Sequence, residues 1–481
     1  MKKQAFNPYL PSFEYIPDGE PYVFGDRVYV YGSHDKFNGT FYCENDYICW
    51  SAPIDDLSNW KYEGVIYQKT QDPMGRRGNR FLFAPDVQRG PDGKYYLYYA
   101  FDFIGVMAVA VCDSPAGKYK FHGHIHYKDG TLLGAREGDG FQFDPGVLVD
   151  DDGKIYLYSG FCPMADFPWD QLEMEEPTIK GGMVIELEPD MVTVKESPRY
   201  IFPDKRRGVG TDFEGHEFFE APSMRKVGDT YYFVYSSING HELCYATSKS
   251  PIGGFQYGGT IVSNGDIYLN GRADEKALNY TGNNHGSIVE INGKWYVFYH
   301  RQTNKHQFSR QACAEEIQIK SDGSIEQVEM TSCGLNGGPL IGKGEYPAYI
   351  ACNLLGRPGA VRYEIDYYID ESHPYFTQEG EDREDNPNQY IANLTEGAIA
   401  GFKYFDLKNV SKISVKTRGI GKGHLCVSTG LNVGELASIP ISPGEEWGTS
   451  TIPLKVNDGV YALYFTYHGE GSFDLYSFTL E

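Results

Sequence analysis

Asp144-Pro145-Gly146-Val147-Leu148-Val149-Asp150-Asp151-Asp152-Gly153-Lys154-Ile155-Tyr156-Leu157-Tyr158 spells out one β-hairpin. A short apolar run reaches a turn at Asp152-Gly153-Lys154 and returns through alternating Tyr and aliphatic residues, the pattern of a strand buried on both sides. Asp150, Asp151 and Asp152 sit where turns favour aspartate and need no further role. The hairpin recurs. Upstream, Ala84-Pro85-Asp86 leads through Asp92-Gly93-Lys94 to Tyr95-Tyr96-Leu97-Tyr98, and Asp18 leads through Gly25-Asp26 to Val28-Tyr29-Val30-Tyr31. Downstream, Glu220-Ala221-Pro222 leads through Gly228-Asp229 to Tyr231-Tyr232-Phe233, and His285-Gly286 leads through Asn292-Gly293-Lys294 to Trp295-Tyr296-Val297-Phe298.

The register barely varies: Asp18 to Tyr29, Ala84 to Tyr96, Asp144 to Tyr156, Glu220 to Tyr232 and His285 to Tyr296 each span eleven or twelve residues. Five antiparallel units at this spacing predict a five-bladed β-propeller over residues 1–335, in which equivalent positions converge on one axis. The positions that converge carry Asp18, Asp144, Glu220 and His285, with Asp86 two places further on in the remaining unit.

Beyond the linker Gly334-Leu335-Asn336-Gly337-Gly338 the hairpin pattern stops. An acidic, proline-containing loop from Glu371 to Asn388 is followed by short alternating strands such as Ala400–Phe405 and Ala462–Tyr467, which predict a jelly-roll-like β-sandwich over 345–481. The fold class is therefore all-β, a propeller followed by a sandwich.

Composition narrows the partners. A net charge of −23 disfavours nucleic acid and anionic lipid. The 15% aromatic content suits strand packing and the flat faces of sugars. No apolar run approaches the ~18 residues of a membrane span, and none of signal-peptide length follows Lys2-Lys3. Nine scattered cysteines without a Cys-x-x-Cys pair read as reduced thiols, so a cytoplasmic location is expected.

Glycoside cleavage needs an acid to protonate the leaving oxygen and a base to activate water, and a third carboxyl nearby keeps the acid protonated by like-charge repulsion. Asp18, Asp144 and Glu220 supply three carboxyls in register. Glu20 competes with Asp18, although it stands nine residues from Tyr29 and not eleven.

Residues 5–330 resemble glycoside hydrolase family 43, five-bladed propellers that cleave arabinosides and xylosides with inversion. The resemblance is carried by Phe143-Asp144-Pro145-Gly146, Phe219-Glu220-Ala221-Pro222, Asn284-His285-Gly286-Ser287, and Pro17-Asp18 ahead of Gly32-Ser33-His34-Asp35. The family's proline directly after the base is absent here and follows Glu20 instead. The resemblance implies Asp18 as general base, Glu220 as general acid and Asp144 as the group that tunes its pKa. It also implies Asp86 and Arg310 as substrate contacts and His285 as ligand to a central calcium or ordered water, with no organic cofactor. Asp35, Trp50 and Phe37 are added as candidate substrate-binding residues, with Phe41 and Tyr42 as candidate pocket walls.

His122, His124 and His126 alternate along a strand, and a solvated strand is the reading preferred to a metal face. The stretches Glu396–Phe402 and Gly469–Leu475 resemble family 6 carbohydrate-binding modules, with Trp447 the candidate sugar contact. The expected activity is exo-acting α-L-arabinofuranosidase on plant cell-wall oligosaccharides. A β-D-xylosidase or dual-specificity enzyme is the alternative, and a lectin-like propeller is the rival from another class.

Overall fold

The computed structural model describes residues 3–163, 181–363, 369–384, 388–431 and 433–481. Four sheets of four antiparallel strands come first. Blade one is β1 (Glu20–Phe24), β2 (Arg27–Tyr31), β3 (Tyr47–Pro53) and β4 (Lys61–Tyr67); blade two is β5 (Asp86–Arg89), β6 (Tyr95–Ala100), β7 (Met107–Cys112) and β8 (Lys120–His124). Blade three is β9 (Gly146–Val149), β10 (Ile155–Ser159), β11 (Met183–Leu187) and β12 (Val194–Tyr200). Blade four is β13 (Phe218–Val227), β14 (Thr230–Ser237), β15 (Glu242–Ser248) and β16 (Gln256–Ser263), and blade five has three strands, β17 (Ser287–Ile291), β18 (Lys294–Arg301) and β19 (Gln311–Ile317). Each predicted hairpin is the inner pair of a blade.

The inner strands close a ring: β1 touches β5, β5 touches β9, β9 touches β13, β13 touches β17, and β17 returns to β1. The chain's start completes the fifth blade. Asn7 N and Tyr9 N donate to the Ser332 and Ala312 carbonyls at 3.0 and 3.2 Å, and the Asn7 side chain donates to Ala314 O at 2.9 Å and accepts from Ala314 N at 3.0 Å.

Strand period two explains the packing between blades. On β6, Leu97 and Tyr99 face blade one and pack with Tyr31, Tyr47 and Cys49, whereas Tyr96, Tyr98 and Ala100 face blade three and pack with Val147, Ile155 and Leu157. Equivalent clusters fill the other three seams. Each large buried side chain contributes about 1.5–3 kcal/mol, so the tyrosine-rich returning strands act as glue on both faces.

The second half is a sandwich of two sheets. One contains β20 (Leu340–Ile341), β25 (Ile399–Leu407), β30 (Gly459–Glu470), β27 (Lys422–Ser428) and β28 (Glu435–Ile441) in that order, with β22 (Asn353–Leu355) on β25. The other runs β23 (Tyr375–Gln378), β24 (Gln389–Leu394), β31 (Phe473–Leu480), β26 (Lys412–Gly419), β29 (Gly444–Pro453), with β21 (Gly344–Pro347) on β31. A shared core including Phe402, Phe405, Phe465 and Phe478 lies between them.

The halves are tightly joined. Buried Lys403 of β25 bonds Asp266 and Glu329, each at 2.9 Å. Buried Arg301 at the end of β18 donates to the Ala351 and Tyr349 carbonyls at 2.8 and 2.7 Å and lies 3.9 Å over the Phe376 ring.

Candidate active site

The carboxyls and His285 occupy two layers of the propeller's axis. Glu20 pairs with Tyr31 and Asp86 with Tyr98, so these two acids share a register that Ser287, opposite Phe298, also shares. Asp18, Asp144 and His285 stand two residues earlier, one layer nearer the mouth, and a bridge between Gly19 and Gly286 sets Asp18 beside His285. Glu220 joins them from β13, where register shifts on both sides of it re-aim the strand.

The backbone is forced at this layer. Asp18 and Asp144 have φ of 57° and 45°, and Ala221 after Glu220 has φ of 64°, all in the left-handed region that costs a non-glycine residue about 1–3 kcal/mol. Gly146 allows the approach of β9 to β13: a Cβ there would stand 2.2 Å from Pro222 O. Asp144 Oδ2 consequently accepts from Ala221 N at 3.3 Å, directly beside Glu220.

Electrostatics separate the acids. Asp18 is buried, which by itself raises its pKa, but Arg310, with Nη1 3.0 Å from Asp18 Oδ1, together with His285, His300 and Ser33 outweighs burial and holds it below the usual carboxylate range. Glu220 is pushed up to about 8 by burial and by the charge on Asp18, which the more distant Arg310 only partly offsets. Asp144 is also raised, by burial and then by repulsion from Glu220 and Asp18. At neutral pH Asp18 is the carboxylate and Glu220 the carboxylic acid.

Sequence reasoning missed His300, at the end of β18. Its Nε2 bonds the Asn283 carbonyl at 2.7 Å, which assigns the proton to Nε2, and its Nδ1 accepts from Asp18 N at 3.3 Å. Burial and Arg310 depress its pKa to about 3, so it fixes the Asp18 backbone as a neutral imidazole. A histidine inside Tyr296-Val297-Phe298-Tyr299-His300 was the available signal.

Four expected substrate contacts are engaged elsewhere. Asp35 is fully buried: Oδ2 accepts from Arg310 N and Nε at 3.0 and 2.8 Å, and Oδ1 accepts from Arg310 Nη2 and Cys43 N, each at 3.0 Å. It holds Arg310 and has no lone pair left for sugar. Asp86 lies a layer deeper, accepting from Tyr22 OH at 2.7 Å and Val147 N at 2.6 Å. Trp50 packs in the seam between blades one and five and donates to Glu14 Oε2 at 2.6 Å. Phe37 is buried and stacks on Tyr15 at 5.6 Å. Arg310, the remaining expected contact, lies 4.9 Å over the Tyr42 ring.

Glu20 belongs to the deeper layer, which separates it from Asp18. Its Oε2 accepts from Ser223 Oγ at 3.0 Å and Arg225 Nη2 at 2.7 Å. Aromatics line the mouth instead of the predicted pair alone: Phe41 and Tyr42 join Phe83, Phe143, Phe161 and Phe219. Three of these immediately precede a repeat start, a regularity visible in Phe83-Ala84, Phe143-Asp144 and Phe219-Glu220.

The donor set at His285 does not make a calcium cage. Calcium takes six to eight oxygens. The carboxylate atoms nearest His285 Nδ1 are Asp144 Oδ2 at 3.7 Å and Asp18 Oδ1 at 4.0 Å, both already engaged, by Ala221 N and Arg310. Elsewhere among the described residues, His216, Glu242 and Cys244 cluster, but Glu242 already accepts from His216, Ser237, Asn239 and Thr260. The three alternating histidines diverge to Asp190 O, Asp72 and His124 O. In the sandwich, Trp447 packs against Tyr390, Tyr476 and Arg418.

A family model for glycosyl hydrolases family 43 matches residues 7–325, the whole ring and its site. The chain belongs to this family. A relative from Thermoclostridium stercorarium, named a xylosidase/arabinosidase, is 56% identical over 482 residues, covering 100% of this chain and 99% of its own. The xylosidase/arabinosidase 43A of Humicola insolens is 31% identical and covers 65% of this chain and 96% of its own. The crystal structure of a family 43 arabinoxylan arabinofuranohydrolase from Bacillus subtilis superposes with a TM-score of 0.51 over 98% of this chain and 97% of its own, at 22% identity. That likeness supports the propeller-plus-sandwich fold. The protein is a glycoside hydrolase.

Proposed function

We propose that this family 43 enzyme is an exo-acting, inverting glycosidase that cleaves terminal α-L-arabinofuranosyl linkages, and β-D-xylosyl linkages as its second substrate, in plant cell-wall oligosaccharides. The observation that carries the reading is the split between an ionised Asp18 and a protonated Glu220 in one buried layer. Asp18 takes a proton from water as the water oxygen bonds the anomeric carbon. Glu220 gives its proton to the glycosidic oxygen as the bond from that carbon breaks, and the sugar leaves with inverted configuration. Asp144, bonded to Ala221 N, keeps Glu220 aimed and resists its ionisation. Arg310 sets the orientation of Asp18. His285 orders water in the channel and no step runs through a metal ion.

The full-length relative's name supports action on both sugars. Turnover of 4-nitrophenyl α-L-arabinofuranoside and β-D-xyloside tests the reading, together with proton NMR of the first sugar anomer formed. Inversion shows as the anomer opposite to the substrate's. Retention, or turnover that survives Glu220→Ala, would overturn the assignment, and failure to turn over either substrate would favour the lectin-like reading.

A further inference from the structure

The sandwich reaches the propeller's mouth through one short loop after β23. There Asp382 Oδ1 accepts from Phe37 N at 2.8 Å, and Oδ2 accepts from Asn45 Nδ2 at 3.0 Å. The same Asn45 amide donates to Asp35 O at 3.1 Å, so Asp382 grips the 34–45 loop at two points after Asp35 and reaches Asp35 itself through Asn45. Arg383 takes the next hold. Its Nη1 bonds the fully buried carboxylate of Glu14 and lies 3.1 Å from His34 Nε2, while His34 Nδ1 bonds Asp46 O at 2.9 Å. The carbonyl partner puts the His34 proton on Nδ1, leaving Nε2 as the acceptor Arg383 needs.

Two further bonds fix the neighbouring segment. Tyr15 OH donates to Gln378 Oε1 at 2.7 Å, and Asp35 N donates to Tyr15 O at 2.9 Å. Arg383 makes its contacts from a φ of 57°, a conformation that persists in a non-glycine residue only where surrounding contacts impose it. Everything this loop grips leads to one residue. Asp35 carries Arg310 through three hydrogen bonds, and Arg310 touches Asp18.

We infer that Asp382 and Arg383 are positioning residues for glycoside cleavage: the sandwich clamps the 34–45 loop so that Asp35 holds Arg310 against Asp18. The inference rests on Asp18 being the base. On this reading the second half of the chain is a working part of the active site, whether or not it also binds sugar.

The test uses the full-length enzyme and four variants, Arg383→Ala, Arg383→Lys, Asp382→Asn and Asp18→Asn, with kcat and KM measured across pH on 4-nitrophenyl α-L-arabinofuranoside. Loosening the clamp lowers kcat by ~10–100-fold, as small misplacements at a reaction centre do, with little change in KM. It also moves the acid limb of kcat/KM up by about one unit as Asp18 loses part of its cation. Arg383→Lys recovers part of the loss by restoring the charge opposite Glu14. Because Arg383→Ala strands a buried carboxylate, Asp382→Asn, which keeps the side chain's shape, serves as the variant that preserves folding, and a thermal melt checks both. An unchanged acid limb and kcat in folded Asp382→Asn and Arg383→Ala, with Asp18→Asn inactive, would overturn the clamp alone. An active Asp18→Asn would instead overturn the base assignment on which it rests.

Discussion

Arg310 Nη1 lies 3.0 Å from Asp18 Oδ1 while the remainder of its guanidinium is forked onto Asp35. A cation so fixed both lowers the Asp18 pKa and determines which oxygen of Asp18 faces the reaction. Burial alone would raise that pKa and remove the base at mildly acid pH.

Lysine in place of Arg310 keeps a charge but cannot make the fork. Arg310→Lys is expected to lower kcat/KM by ~10²–10³-fold, the scale of losing a placed electrostatic contact. The acid limb of the pH profile moves upward as well. Steady-state kinetics between pH 3 and 7 reads both effects.

With Asp18 as the proposed base and Glu220 as the proposed acid, activity requires Asp18 without its proton and Glu220 with it. The Asp18 pKa is lowered, so the acid limb of kcat/KM lies below the usual carboxylate range; the Glu220 pKa is raised to about 8, so activity falls as pH rises through that value. Glu220→Gln abolishes the alkaline limb. The loss of rate, ~10²–10⁴-fold, is greater on xylo- and arabino-oligosaccharides than on nitrophenyl glycosides, whose leaving group needs no proton. Equal losses on both substrates would argue against Glu220 as the acid.

Prolonged dialysis against EDTA is expected to leave kcat unchanged, since the two carboxylate oxygens nearest His285, Asp144 Oδ2 and Asp18 Oδ1, are already engaged by Ala221 N and Arg310. A loss that returns on adding Ca²⁺ would place the ion at His285 and reverse that reading.

Lys403 ties the sandwich to the propeller through Asp266, both almost fully buried. Lys403→Met leaves Asp266 charged and unpaired, at a cost of about 3–5 kcal/mol, seen as a lower midpoint in urea denaturation. Adding Asp266→Asn to Lys403→Met recovers much of that loss, because the second substitution removes the stranded charge while keeping an acceptor for Met330 N and a residue suited to the φ of 56°.

What the sequence made legible was local. Hairpins are set by turn residues and strand alternation within about a dozen positions, so the five inner pairs could be read directly. Register also separated Asp18 from Glu20, because two residues along an inner strand is one full layer of the channel. What stayed hidden was pairing over distance. Asp35 sits 275 residues from Arg310 in sequence, and no local pattern distinguishes a carboxylate that holds an arginine from one that holds a sugar. Trp50 was misread for the same reason, since the Glu14 carboxylate that fixes it belongs to a network completed by Arg383. The aromatic lining was present as phenylalanines preceding three repeat starts, but its significance depended on knowing which faces meet.

The closure of blade five sets an order on how this enzyme is made. Residues 7–9 leave the ribosome before any blade, yet their partners on β19 and at Ser332 are synthesised only after four complete blades. Until then the leading segment has nothing to bind, and blade one presents one flank of its apolar seam uncovered. Ring completion is a contact between the chain's start and a point two-thirds of the way along it, the kind of long-range step that slows folding and lengthens exposure to aggregation. The nascent propeller thus spends most of its synthesis as an open arc, and its ring closes only when residues 7–9 meet a strand made some three hundred residues later.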